Sequence, residues 1–450
     1  MRTWQADVTV VGGGMAGIAS AIAAARAGAD TILIERGGWL GGIGITGATG
    51  LHTFYNVYGA EEDAPRRKLV GGIPQDLVDR VRDLGGGVGH VPMERGADFV
   101  SMLTPVEPEA FKLAAVQLCR EAGVRLLLHT TFIDATAADG EVRSIEVWSK
   151  AGRGKVEARV FIDASGDGDL AAAAGAEHIT YAPGDEGAYA AGFTFRLCNV
   201  DLHALEAHLL REDLLTQSAH AVKPGMTEPD PVRVGIDMRR LREGGAEEAP
   251  GYFLSSSLRP QELTYCNCIN FSGLDPLNPE DLTEAEVALR GRMFGVADFF
   301  RQTFDGCEGC YPAGPAPAVG PRRARAFRCD YELSQDDVTS GARFDDEIGQ
   351  FGFIDNGNFV VADASSYGIP YRSLRPLAMD NLLIAGRMMT VELVAHNSTR
   401  NTTCCMVCGQ AAGTAAALAA QQECSVRHVD VGRLRELLRA EGALLQPREV

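Results

Sequence analysis

An apolar run at residues 8–11 leads into Gly12-Gly13-Gly14-Met15-Ala16-Gly17, and a small-residue stretch to residue 27 follows, closed by Gly28. A second apolar run, Thr31–Ile34, ends in Glu35. Short continuous apolar runs suit buried parallel strands, and a small-residue helix between them can pack closely on the sheet. The segment reads as a βαβ unit. Gly12 permits the tight turn, Gly14 removes a side chain where a pyrophosphate would approach, and Gly17 lets the helix sit against the strand. The helix N-terminus, with Met15 and Ala16 in its first turn, offers free N–H groups and a positive dipole end to phosphates. Glu35 stands eighteen residues past Gly17, where its carboxylate can accept hydrogen bonds from ribose hydroxyls. A merely tight strand-to-helix turn would leave Glu35 unexplained, so the unit is expected to bind a dinucleotide.

The remaining composition bounds the rest. With 450 residues the chain is long enough for two or three domains, or for one large core with insertions. Sixty acidic against 42 basic side chains give a net charge of −18, which argues against a general nucleic-acid binder. A small anionic substrate stays open, because a local arginine cluster overrides the global sign. Eleven scattered cysteines do not form a secreted disulfide framework. Cys307/Cys310 and Cys405/Cys408 each make a C-x-x-C, but zinc-ribbon spacing is absent, so no metal is expected and buried thiols are the better reading. The polar start and the short, interrupted apolar stretches at 16–29 and 411–420 give neither a secretory signal nor a membrane helix. A cytoplasmic protein without membrane or nucleic-acid partners is expected, and a homodimer is left open.

Along the chain, helices are expected at 71–83, 109–122, 283–304 and 404–420. Strands are expected at 125–129, 132–136, 142–149, 156–162 and 381–385. Residues 161–175 read as a strand, a tight acidic turn and a short alanine-rich helix. Between 177 and 372 the pattern is mixed and richer in proline. A nucleotide domain assembled from both chain ends is expected, with a substrate domain inserted: 1–60, 105–176 and 374–450 against 61–104 and 177–373.

After Glu35 the sequence runs Arg36-Gly37-Gly38-Trp39-Leu40-Gly41-Gly42-Ile43-Gly44-Ile45-Thr46-Gly47. Domains that bind NAD usually continue into another helix here, whereas a glycine-rich extension resembles flavoproteins. Three further segments add to the likeness: FIDASGDGDLAAAAG at 161–175, IPYRSLRPLAMDNLLIAGR at 369–387 and VAHNSTRNTTCCMVCGQAAGTAAAL at 394–418. On these the chain resembles the FAD-dependent oxidoreductase family, which shares its flavin fold with fumarate reductases and related two-dinucleotide-binding flavoproteins. The resemblance implies an α/β fold, a Rossmann-like FAD-binding domain of the glutathione-reductase type with an inserted α+β substrate domain, and FAD as cofactor.

Residue by residue, the resemblance implies that Gly12, Gly14, Met15, Ala16, Gly17, Glu35 and Arg36 hold the ADP half. Gly41, Gly42 and Thr46 would line the path toward the flavin ring. Asp163, Gly166 and Asp167 would form a second turn near the nucleotide, and Gly386 and Arg387 would approach the pyrophosphate or ribityl chain. A helix opening near Cys408, Gly409, Gln410 and Gly413 would aim its N-terminus at the flavin, where a positive helix end stabilises the negative charge of the reduced ring. The chain departs from the family where an arginine-rich stretch appears as GPRRARAF at 320–327: Arg322 and Arg325 are kept, while Arg323 replaces an acid. The substrate therefore does not carry over.

For chemistry, His396 is the expected acid or base, because a histidine titrates near neutrality, and Arg400 the expected charge anchor, with Arg372 next. Tyr371, His52 and Tyr55 bracket the same loops. An enzyme exchanging a hydride between flavin N5 and a small-molecule substrate is the main expectation. A flavin monooxygenase and a non-catalytic flavin-containing binding protein are the alternatives. No second glycine fingerprint follows a strand in the middle of the chain, so no separate NAD(P)H domain is expected.

Overall fold

The computed structural model describes the chain apart from residues 1, 47–50, 57–65, 97–99, 314–317, 356–358, 363–364, 447 and 450, and apart from the side chains of 52, 448 and 449. The expected loop at 37–50 and the proline-rich loop at 312–321 therefore lie partly outside the described residues, and the His52 side chain wholly so.

The N-terminal unit forms as its pattern demands. Strand Arg2–Val11 buries its last four residues, helix Met15–Arg26 follows, and Thr31–Ile34 is buried throughout. Parallel strands stand in the order Arg125–Leu127, Thr31–Ile34, Arg2–Val11, Gly152–Asp163. Strand Leu382–Ile384 adds in parallel to the C-terminal end of Gly152–Asp163, so the two ends of the chain share one sheet. The other half of Gly152–Asp163 pairs antiparallel with Glu141–Ser149, which pairs in turn with Thr131–Ala138.

Helix Thr402–Gln422 lies on helix Met15–Arg26, and glycines set the distance. A Cβ at Gly409 would meet the Ala16 carbonyl oxygen at 2.2 Å, and one at Gly413 would meet that of Ser20 at 2.1 Å. Thr402–Gln422 has 21 residues and is long and apolar enough to cross a membrane, but 94% of its most apolar window is buried inside the protein. The sequence alone marked only a shorter interrupted stretch there.

The middle of the chain forms a second, antiparallel sheet in the order Leu215–Val222, Pro229–Ile236, Phe253–Ser256, Glu262–Phe271, Ala191–Cys198, Tyr311–Ala313. Alternation gives it two different faces. Val234, Ile236, Phe253 and Cys266 share a buried cluster with Phe299, Phe300 and Phe304 from helix Pro279–Thr303 and its end. Asn278 caps that helix by accepting from Glu280 N–H at 2.9 Å, and proline takes the first position, where its missing N–H costs nothing. Arg233, Leu254, Ser256 and Asn267, on the opposite face, line a cavity. The buried apolar residues accordingly form two clusters, one around each sheet. Helix Ile73–Asp83 falls within the first: Leu77, Val78 and Val81 pack there, not with the second sheet as the sequence grouping of 61–104 implied.

Candidate active site

A cavity of about 1050 Å³ runs from the C-terminal edge of the parallel sheet to the inner face of the antiparallel sheet. Its first end is built by the glycine turn. Gly12 adopts φ +101°, and a Cβ there would strike the Ala164 carbonyl oxygen at 2.4 Å. A Cβ at Gly17 would lie 1.8 Å from the Gly12 oxygen, so the helix could not approach the strand with any other residue. Gly14 differs: nothing lies within 4 Å of its Cβ position, which opens on the cavity. Glu35 lines the cavity beside it and accepts from Gly13 N–H at 2.7 Å and Gly37 N–H at 2.6 Å. Gly41 N–H donates to Gly13 C=O at 2.9 Å, which ties the glycine extension to the turn.

Two helix N-termini open on this space. Helix Met15–Arg26 begins at Gly14 and helix Thr402–Gln422 at Asn401, and neither first turn has a side-chain cap. Gly14, Asn401 and Thr402 all line the cavity. Uncapped N–H groups at a helix start suit anionic or acceptor groups. On one side wall Arg387 pairs with Asp167 at 2.7 Å, both lining the cavity. The second turn, Ser165-Gly166-Asp167, closes that wall, with Gly166 at φ +92° directly under the Arg387 guanidinium.

The far end belongs to the antiparallel sheet and its connections: Arg233, Tyr252, Asn267, Arg322, Tyr189, Arg400 and Asp355. Arg400 pairs with Asp355 at 2.6 Å and lies over the Tyr189 ring. Tyr252 donates to Asn267 Oδ1 at 3.0 Å. Burial raises the pKa of both tyrosines, so both hydroxyls stay protonated at neutral pH. Burial, reinforced by Arg400, lowers the Arg322 guanidinium to about 10.

The family model for FAD dependent oxidoreductases matches residues 7–438, nearly the whole chain. The chain belongs to this family. It is an FAD-dependent oxidoreductase, and FAD is its cofactor. No curated protein matches it. Among solved structures it is similar to a geranylgeranyl bacteriochlorophyll reductase-like protein from Thermoplasma acidophilum, at 13% identity over 97% of this chain and 84% of the other, with a TM-score of 0.48. It is also similar to a p-nitrophenol 4-monooxygenase from Pseudomonas putida, at 12% identity over 98% and 87%, with a TM-score of 0.46. A third similar structure is GidA from Aquifex aeolicus, at 14% identity over 93% and 64%, with a TM-score of 0.47.

The residues of this oxidoreductase fit an ADP-containing cofactor. The fit rests on the open space above Gly14, the uncapped helix start beside it and a carboxylate at the end of the second strand. Of the residues named from the sequence, Gly12, Gly14, Met15, Ala16, Glu35, Arg36, Gly41, Gly42, Thr46, Gly166, Asp167, Gly386, Arg387 and Arg400 line the cavity. Gly17 stands behind it as a packing glycine. Replacing Glu35 with Gln removes a charged acceptor and should weaken FAD binding by about 1–3 kcal/mol. Fluorescence titration of the FAD-free protein measures this directly. An unchanged dissociation constant would mean that Glu35 holds only the loop.

Several expectations need correction. Gly409 and Gln410 are not at a helix start. The helix begins at Thr402, Gly409 packs on Ala16, and Gln410 Oε1 accepts from Ile73 N–H at 3.1 Å. Asn401 and Thr402 take the place expected of them. Asp163 is fully buried and accepts from Ser165 and Ala171 N–H groups, which holds the second turn rather than touching the cavity. Burial raises its pKa to about 6. Arg372 lies outside the cavity, paired with Asp346 at 3.0 Å and set over the Tyr331 ring. Tyr371 is buried with its hydroxyl on Val426 C=O at 2.7 Å, and Tyr55 packs on His90.

His396 is likewise outside the cavity. It is fully buried, and burial together with Arg323, Arg400 and Arg387 holds its pKa well below the ordinary value. The imidazole is therefore held neutral, away from the cavity wall. The sign of its pH effect follows. The unfolded chain takes up a proton near pH 6.5 and the folded one does not, so this residue costs stability as pH falls below 6.5. The loss should be about 1.4 kcal/mol per pH unit. Asp163 and Glu347, both raised to about 6 by burial, act in the opposite sense over pH 4–6. Comparison of wild type with His396→Leu isolates the histidine. The variant should lose less melting temperature between pH 7 and pH 5, and parallel curves would refute the buried neutral state.

Sequence reasoning missed Arg233, Tyr252, Tyr189, Asn267 and Asp355. For Arg233 a signal existed: one arginine inside the otherwise apolar strand PVRVGI, a pattern in which a charge needs a reason.

Proposed function

We propose that this oxidoreductase exchanges a hydride between the flavin of FAD and a small organic substrate held against the antiparallel sheet. The reading rests on one observation. The turn Gly12–Gly14 with Glu35 and the sheet face bearing Arg233, Tyr252 and Asn267 line the same continuous cavity. Bound FAD supplies two-electron redox chemistry at its ring. The chain's own residues supply binding, orientation and proton handling. Glu35 would receive the ribose hydroxyls and the Gly14–Ala16 amides the phosphates. Gly41, Gly42, Thr46, Asn401 and Thr402 would frame the ring, with the helix start at Asn401 favouring negative charge there. Leu254, Phe353 and Ile354 line the same space with apolar surface and exclude water. Tyr252, protonated and oriented by Asn267, is the group assigned to hold or give the substrate proton, in place of His396. A glutathione-reductase-type flavin fold and kinship with fumarate reductases are part of the same proposal, supported by the sequence motifs.

Stopped-flow spectroscopy separates this reading from oxygen insertion. The oxidised holoprotein should bleach only slowly with NADH or NADPH. The photoreduced protein mixed with oxygen should regain the oxidised spectrum in one step. Rapid bleaching by NADPH followed by a distinct intermediate spectrum would replace the hydride reading with a monooxygenase.

A further inference from the structure

We propose that the substrate is a small organic carboxylate and that Arg233 receives its charged group. The proposal rests on the preceding reading that the antiparallel sheet face is the substrate side of the cavity.

Arg233 sits in strand Pro229–Ile236 with its neighbours Val232 and Val234 fully buried on the other face, and is itself only 5% exposed. Its Nε and Nη2 both donate to one neutral acceptor, Gln217 Oε1, at 2.9 and 2.8 Å. Among the described residues no carboxylate pairs with it and no protein group accepts from its Nη1. Desolvation lowers its pKa to about 10, so it stays charged at neutral pH. A buried guanidinium with one amide partner is costly unless something else compensates it, since buried charges are ordinarily paired. Here the compensating group has room, because Arg233 lines the cavity.

The acids in the cavity wall cannot serve. Glu35 is held by two backbone N–H groups, Asp167 by Arg387, Asp169 by Arg325, Glu286 by Arg290 and Asp355 by Arg400. Each is committed elsewhere. Arg322 lines the same end and adds positive potential. Ser256, directly across from Arg233 in the sheet register, and Asn267, one strand further, offer neutral hydrogen-bonding groups for the rest of the molecule. A planar carboxylate matches the planar guanidinium fork, and a low-dielectric wall strengthens the contact. The site differs from the anchor expected at Arg400, whose charge Asp355 already takes.

The test uses the FAD-loaded protein and three probe pairs: acetate and acetamide, benzoate and benzamide, succinate and succinamide. Binding is read by calorimetry and by flavin difference spectra, for wild type, Arg233→Gln and Arg233→Lys. In wild type at least one carboxylate should bind about tenfold more tightly than its amide, the scale of one good charged contact. Arg233→Gln should bring the pair to within about twofold, with FAD content and melting temperature unchanged. Should Arg233→Gln not fold, Arg233→Lys keeps the charge without the fork and should bind the carboxylate more weakly than wild type. Equal or absent binding of every pair in wild type overturns the proposal. So does a preference that survives Arg233→Gln, or loss of FAD on that substitution, which would make Arg233 a cofactor residue. Failure of the redox reading looks different: carboxylate binding persists by calorimetry, but no flavin reduction or reoxidation depends on any organic substrate.

Discussion

Gly409→Val should yield no folded, FAD-containing protein. Gly409 lies where helix Thr402–Gln422 crosses helix Met15–Arg26, and even a single Cβ would sit 2.2 Å from the Ala16 carbonyl oxygen. The obstacle is backbone, so no side chain can turn aside. Overpacking typically costs about 1–3 kcal/mol where neighbours can shift, and two buried helix backbones cannot shift cheaply. The same crossing holds both helix starts that open on the cavity, so displacement would also misplace the cofactor site. Gly14→Ala provides the contrast. Its Cβ would meet nothing within 4 Å, and its backbone is in the extended region, so the variant should melt like wild type. That Cβ would occupy the space over the helix start, so bound FAD should fall sharply. Melting curves and flavin content of the two purified variants decide the matter. A stable Gly409→Val, or a Gly14→Ala with full flavin, would contradict the packing and the cradle respectively.

Arg400→Met should be strongly destabilising without being a clean loss of chemistry. The Arg400 side chain is 9% exposed and that of Asp355 27%, with 2.6 Å between them. Removing one partner of a fully buried ion pair typically costs about 3–5 kcal/mol, and because Asp355 is partly exposed the loss here should be about 2–4 kcal/mol. Against a total stability of about 5–15 kcal/mol, this is a large fraction. The double variant Arg400→Met with Asp355→Leu removes both charges and should recover part of the loss. Denaturant melts of the two singles and the double give the coupling energy. Additive losses would show that the pair contributes nothing as a pair.

The βαβ unit with Glu35 was legible because its requirements are local: a turn only glycine can make, a helix–strand approach only glycine allows, an acid at a strand end. The apolar periodicities also located Thr31–Ile34 and, within a few residues, Pro279–Thr303, but gave none of the antiparallel strands between 177 and 372. The substrate end was not legible. Arg233 and Asn267 lie on two different strands and Tyr252 just before a third, and only the folded sheet makes them neighbours. Of the three catalytic choices Arg400 lines the cavity, whereas His396 and Arg372 lie outside it for a related reason. His396 belongs to the short helix Leu393–Thr399, whose polar residues His396–Thr399 are buried by tertiary packing that the sequence does not signal. Arg372 had an acid available in Asp346. Gly409 and Gln410 were misplaced because a glycine within a long apolar helix was read as a helix start, when its role is to let another helix come close.

A crystal structure of the FAD-loaded protein tests the arrangement most directly. The expected result has the adenosine ribose on Glu35, the phosphates over Gly14, and the ring between residues 41–46 and Asn401–Thr402 with one face open to Tyr252 and Arg233. A ring turned away from the antiparallel sheet, with Arg233 and Tyr252 remote from it, would contradict the assignment of the substrate side.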